Sequence, residues 1–169
     1  MLRRLARLRV PLGFACGLVA ILLARPTARS VAVGFAVAVT GEVIRIWAAG
    51  HLEKSREVTR SGPYRWTRHP LYVGSSVIAA GVAIAGASLP LVLLVLAYMA
   101  TTLTAAVRTE EAFLRGKFGD VYDAYAARRA EPMRRRFSFS RATANREYRA
   151  AAGLAIGFAL LALKLWLTL

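Results

Sequence analysis

The sequence predicts an all-α integral membrane fold with about five transmembrane helices. Three observations predict it. Hydrophobic residues make up 57% of the 169-residue chain, and its mean hydropathy is +0.45. Those residues gather into nearly uncharged blocks at 10–24, 31–47, 71–87, 89–107 and 150–169. A helix that crosses a bilayer takes about 20 mostly apolar residues, roughly 17–25, and four of the blocks reach or approach that length. The third observation is the placement of charge. Of the 24 Lys and Arg residues, four precede the first block, two lie between the first and second, and five lie between the second and third. None lies between the third and fourth, and eleven follow within 108–149. Segments alternating rich and poor in Lys and Arg place the N-terminus in the cytoplasm and the C-terminus outside.

The formal net charge is +15. On a soluble domain this would suggest nucleic acid. Here the charges flank apolar blocks, where they face anionic lipid headgroups, so the bilayer is the expected partner and nucleic acid is not. The oligomeric state stays open. The single cysteine, Cys16, excludes an intrachain disulfide and a cysteine-based metal site. It reads as a small packing residue, and no metal is expected.

Taken in order, the first block is short at 15 residues and needs its flanks to span. Its basic start, "RRLARLR", would also suit a signal peptide, but no small-x-small cleavage site follows. The second block carries Glu42 and Arg45, three residues apart and so on one helix face, where they can pair. Ionisable groups inside a membrane helix are expensive and usually meet a partner or a cavity. Arg45 therefore either pairs with Glu42 or reaches into an anionic ligand's site. Residues 1–50 make up this first part, helices 1 and 2.

The connection to the third block is "SGPYRWTRHPLYVG". Gly62-Pro63 marks a turn, and Pro70 suits the first turn of a helix, where its missing N–H costs nothing. That helix start offers a positive dipole end. His69, Arg65 and Arg68 stand beside it, and Tyr64 and Tyr72 add aromatic faces. "GASLP" then joins the third and fourth blocks into a helix hairpin, 70–107, whose ends both lie on the cytoplasmic side. Glu110 and Glu111 stand where the hairpin returns. An amphipathic helix follows over 108–128, with Leu114, Phe118, Val121, Tyr122 and Tyr125 at three- and four-residue spacing. Residues 131–149 read as a basic cytoplasmic linker, a lid or a tether, and 150–169 as the last transmembrane helix. Lys164, near its end, can snorkel to the outer interface. A cytoplasmic-side pocket formed by helix ends and the amphipathic helix would suit a ligand with a carboxylate, an ammonium group and a flat base. S-adenosylmethionine has all three.

The segment "GHLEKSREVTRSGPYRWTRHPLYVG", followed after the hairpin by "EEAFLRGKFGDVYDAY", resembles the isoprenylcysteine carboxyl methyltransferase family and its bacterial relatives. Phospholipid N-methyltransferases share part of the signature. Gly62, Tyr64, Arg68, His69, Pro70, Tyr72 and Gly74 match its first half. Glu110, Glu111, Leu114, Phe118, Gly119, Tyr122 and Tyr125 match the second. The resemblance implies a methyltransferase core over 51–130 and a bacterial inner-membrane location. It implies S-adenosyl-L-methionine as cofactor, bound at the cytoplasmic side by Arg56, Glu57, Val58, Thr59, Tyr64, Arg68, His69, Pro70, Leu71, Tyr72, Glu110 and Glu111. Ala106 stands where prenylcysteine enzymes carry an arginine associated with the substrate, the nearest being Arg108, and Arg56 stands where they carry a histidine. Arg45 and Arg108 are the substrate-side candidates. The acceptor is a lipophilic carboxylate or amine, and no catalytic residue is assigned.

Two other classes compete. A membrane reductase of the sterol and steroid type has a related motif and uses NAD(P)H, but its motif ends on an acidic residue where this chain has Ser75. A non-catalytic small transport protein would leave the His69 and Glu110-Glu111 segments unexplained.

Overall fold

The computed structural model describes Gly13 and residues 15–168. Arg3, Arg4, Arg7 and Arg9, and with them part of the first-block reading and its signal-peptide rival, lie outside the described residues. Residues 15–23 are helical (α1). Then come α2 (Ala28–Ala49), a 3-10 turn (Gly62–Arg65), α3 (Pro70–Gly86), α4 (Leu89–Phe118), α5 (Asp120–Ala126), α6 (Phe139–Ala144) and α7 (Tyr148–Leu167). Among the described residues there is no strand. The helices α2, α4 and α7 are each long and apolar enough to cross a membrane, and α3 is a shorter apolar helix of 17 residues. The protein is an all-α integral membrane protein. Of the five expected spans, three meet the length and composition of a crossing helix. Leu93, Leu96, Ile156 and Leu163 are exposed along α4 and α7, which is the lipid-facing side of such helices.

The centre of the fold is the antiparallel pair α2 and α3. Thr27 and Ser30 close a capping box at the start of α2, and the Ser30 hydroxyl donates to Ala85 O at 2.9 Å. This ties the start of α2 to the end of α3. Between the ends, the backbones meet through small residues. A Cβ added at Gly41 would lie 2.7 Å from Gly74 O and from Ile78 N, and one at Gly34 would strike Gly81 O and Ala85. Small residues let membrane helices approach closely where no hydrophobic force draws them together.

The last helix closes on this pair. Phe158 packs edge-on against Phe35 with ring centroids 5.2 Å apart, and Phe158 and Leu161 join Ala24, Ala38, Ala85 and Leu91 in the buried core. Lys164 Nζ donates to Ile21 O at 2.7 Å and Leu22 O at 3.0 Å. It caps the last carbonyls of α1, where a cation meets the negative helix end.

Three boundaries differ from the sequence reading. The predicted span 89–107 and the amphipathic helix 108–128 are not separate at residue 107; α4 runs unbroken for 30 residues to Phe118. Ala, Arg and Glu around the expected break are good helix formers. The interruption comes at Gly119, whose φ of +47° suits glycine. Second, the linker 131–149 contains α6, and α7 starts at Tyr148. Third, α3 and α4 are sequential neighbours joined by Ala87-Ser88, but the main packing partner of α3 is α2.

Candidate functional site

The candidate site forms where α2 ends, α3 begins and α4 returns. The loop from Gly50 to Ser61 folds on itself. His51 Nδ1 lies 3.1 Å from Ser61 Oγ, and Thr59 Oγ1 accepts from Glu53 N at 3.2 Å. Val58, Thr59 and Ser61 are buried. The linker after α5 is a strap laid across this loop. Met133 N donates to Arg60 O, Ser138 N to Gly50 O, and Asn145 Nδ2 to both Ala49 O and Leu52 O. Arg135 forks onto Glu57 at 2.6 and 2.9 Å and also donates to His51 O. The Glu57 contact raises the Arg135 pKa further. Of the lid and tether readings, these contacts describe a strap held at both ends.

Pro70 opens α3, fully buried, with His69 at the N-cap and no side chain capping the first turn. The His69 ring stacks on Tyr72 with centroids 5.6 Å apart and 23° between planes. Its Nε2 lies 3.0 Å from Glu111 Oε1, and Arg68 reaches the same oxygen at 2.9 Å. Glu111 is thereby held twice. Glu110 is different: its side chain is 41% exposed, and its contact is a 3.9 Å approach to His69 Nδ1. That nitrogen is buried and has no hydrogen-bond partner.

The short helix α5 completes the corner. The Tyr125 hydroxyl donates to Tyr64 O at 2.8 Å, and Tyr122 is buried. Burial, helped by Tyr122, pushes the Tyr125 pKa up to about 12. Burial and then the Glu110 carboxylate raise the Tyr64 phenol well above the usual tyrosine range, with Tyr125, Glu147 and Tyr72 adding to the shift. Tyr64 thus lies within the fields of two carboxylates and stays protonated. Lys117, at the end of α4, donates to Ser55 O at 2.7 Å, which ties α4 to the loop.

A second polar group lies inside the helices. Arg45 forms a bidentate pair with Glu147 at 2.9–3.1 Å and reaches Ser75 Oγ at 2.5 Å. Glu42, the partner expected from spacing, is 3.8 Å away, and its carboxylate oxygens are buried without a hydrogen bond. Beside this group is a cavity of about 320 Å³ between α2, α3 and α7, bounded by Arg45, Ser75, Ile78, Val82, Leu154 and Phe158.

The structure therefore brings Tyr64, Arg68, His69, Pro70, Tyr72, Glu110 and Glu111 into one corner, with Leu71 in the first turn of α3. Arg56 projects outward, its side chain 85% exposed and 3.9 Å from Glu53. Glu57 is taken by Arg135. Arg108 is exposed and has no ion-pair partner among the described residues. Sequence reasoning missed Glu147. The signal was one of two acids in the basic run ahead of the last apolar block, overlooked because Glu42 already offered a partner on the same helix.

Chemically, the corner offers a half-exposed carboxylate, an unpartnered buried imidazole nitrogen, an uncapped helix start and two aromatic faces. These suit a zwitterionic ligand, with the acid for its cation and the helix start for its anion. The sequence model of the phospholipid methyltransferase family matches residues 12–121 of the chain. The match takes in all of α2, α3 and α4 and therefore both segments of the corner. No curated protein matches the chain, and no solved structure matches it.

Proposed function

The chain belongs to the phospholipid methyltransferase family, and from that premise we propose that it transfers a methyl group from S-adenosyl-L-methionine to a lipophilic, membrane-borne acceptor. The observation that carries this reading is the division of labour between Glu110 and Glu111. Glu111 is engaged through Oε1 by both His69 and Arg68, whereas Glu110 is left half exposed beside a buried nitrogen without a partner. Glu110 holds the cofactor's ammonium group. The start of α3, at Pro70 and Leu71, receives its carboxylate, and Tyr64 and Tyr72 supply aromatic walls that favour a cation.

When bound, S-adenosylmethionine supplies a methyl carbon that is already electrophilic. The work left to the chain is alignment and exclusion of water. At the corner, α5 packs through Tyr125 on Tyr64, and Lys117 ties the loop to α4. The Tyr64 phenol, protonated and buried, lies within the fields of both Glu110, at the cofactor corner, and Glu147, on Arg45.

That cavity is the proposed acceptor site, reached from the bilayer. Its walls are apolar, and its polar lining is Arg45, held by Glu147, together with Ser75. The acceptor is a carboxylate or an amine, and the family's name adds phospholipids as the acceptor class. Arg108, exposed on α4 two residues before Glu110, is the second substrate-side candidate. An amine must lose a proton before it is methylated, and no catalytic base is assigned. The core over 51–130 faces the cytosol in the positive-inside orientation, in a bacterial inner membrane, with the N-terminus cytoplasmic and the C-terminus outside.

Calorimetric titration of the detergent-purified protein with S-adenosylhomocysteine and with NADPH tests the reading. S-adenosylhomocysteine binds, and Glu110→Ala abolishes the signal. Tight NADPH binding with no S-adenosylhomocysteine signal overturns the proposal in favour of a reductase.

A further inference from the structure

A second and larger cavity, about 740 Å³, opens between the last turn of α2, the 3-10 turn and the strap. None of the residues assigned to the cofactor lines it. Trp47 and Trp66 do, with ring centroids 5.5 Å apart. Trp47 belongs to the last turn of a spanning helix, and Trp66 is 67% exposed. Tryptophan collects at the headgroup level of membranes, where its ring is half in each phase. The pair therefore sets the depth of the cavity.

Three guanidinium groups line the same space. Arg135 is neutralised by Glu57. Arg65 and Arg134 are exposed and join no ion pair among the described residues. The one acid of the lining is Glu131. His51, also in the lining, adds no charge: burial, then Arg141 and Arg135, hold its pKa below the ordinary imidazole value. An arginine fork matches phosphate oxygens, and the group that meets arginine at headgroup depth is a lipid phosphate.

We infer that this cavity binds an anionic phospholipid headgroup, with Arg65 and Arg134 on the phosphate and the Trp47–Trp66 pair against the glycerol and upper chain. The site is distinct from the acceptor cavity beside Arg45, and the strap contributes half of it. Lipid binding would therefore hold the strap down on the loop that carries Glu57 and Thr59.

The test uses the full chain in neutral detergent micelles, titrated with short-chain phosphatidylglycerol, short-chain phosphatidylcholine and inorganic phosphate. Tryptophan emission is the readout, because two of the three tryptophans line the cavity. Phosphatidylglycerol gives a saturable shift, and phosphatidylcholine and inorganic phosphate do not. R65Q/R134Q weakens binding about thirtyfold, in line with the attraction of two basic residues to an anionic surface. R128Q/R129Q, which removes the same charge from exposed positions outside the lining, leaves it unchanged. Equal weakening in both variants would reduce the site to diffuse attraction and overturn the inference. So would an equal shift with inorganic phosphate, which makes it a soluble-anion site. R65Q/R134Q still binds S-adenosylhomocysteine; loss of that binding would assign the cavity to the cofactor machinery. Should the double variant not fold, Arg134→Gln alone gives the same ordering with a smaller shift. If the wild type binds no S-adenosylhomocysteine, the proposed function falls, and the lipid titration still decides this inference.

Discussion

The helix pair α2–α3 and the helix α4 are built on opposite plans. The first two meet backbone to backbone along their length, through Gly34, Gly41, Gly74 and Gly81. By contrast, α4 is 30 residues long and buries Leu91 alone. It is pinned at its two ends: at Leu91 in the core, and at the site, where Glu111 meets His69 and Arg68 and Lys117 meets the loop. The difference shows how the corner is assembled. His69, Tyr64 and Tyr72 are attached to a rigid frame. Glu110 and Glu111 ride on an arm whose fastening is made by a site residue. One carboxylate clamps, which leaves its neighbour available.

The frame can be broken most severely by Gly41→Val. The atoms it would strike are backbone, so the loss should exceed the ~1–3 kcal/mol usual for an overpacked core. No monodisperse protein should be recovered from detergent. Next is Glu147→Ala, which strands Arg45 among helices and should cost about 3–5 kcal/mol in thermal or denaturant unfolding. Replacing the whole charged group with neutral residues, E42Q/R45M/E147L, should recover most of it. The arm responds differently. Glu111→Gln exchanges charged contacts for neutral ones and should lower stability by about 1–3 kcal/mol, whereas Glu110→Ala should leave the unfolding midpoint in place while abolishing S-adenosylhomocysteine binding. Equal midpoints for the two variants would erase the distinction between clamp and ligand. The smallest effect tests the loop behind the frame. Because folding lowers the His51 pKa from its ordinary 6.5, the unfolded chain takes up a proton first as pH falls below that value. Stability should therefore decline on the acid side, and His51→Gln should flatten that part of the profile.

Much of this was legible in the sequence because it rests on local quantities. Span-length apolar blocks and a proline after His69 each act within a helix or at its end. The meeting of His69 with Glu111 could be foreseen because a hairpin of known topology brings its two ends to one membrane face. What was not legible depends on partners far apart in the chain. Arg45 and Glu147 are separated by 102 positions, and no periodicity links them. The strap offered only composition, and a run of arginines looks the same free in solvent or forked onto Glu57. The small residues of α2 and α3 were visible one by one, but which faces meet is settled only by packing. The continuity of α4 through Arg108 was hidden because the change from apolar to charged residues marks the edge of the membrane and not the end of the helix.

The grip of Lys164 on Ile21 and Leu22 bears on the order in which the chain is made. Those carbonyls belong to α1, and their donor is made 143 positions after Ile21. During synthesis the end of α1 must wait, its carbonyls satisfied by water or by the membrane interface, until α7 has inserted. The described fold is thus latched from α7, and a chain stopped after α5 should insert its early helices and yet remain a target for membrane proteases.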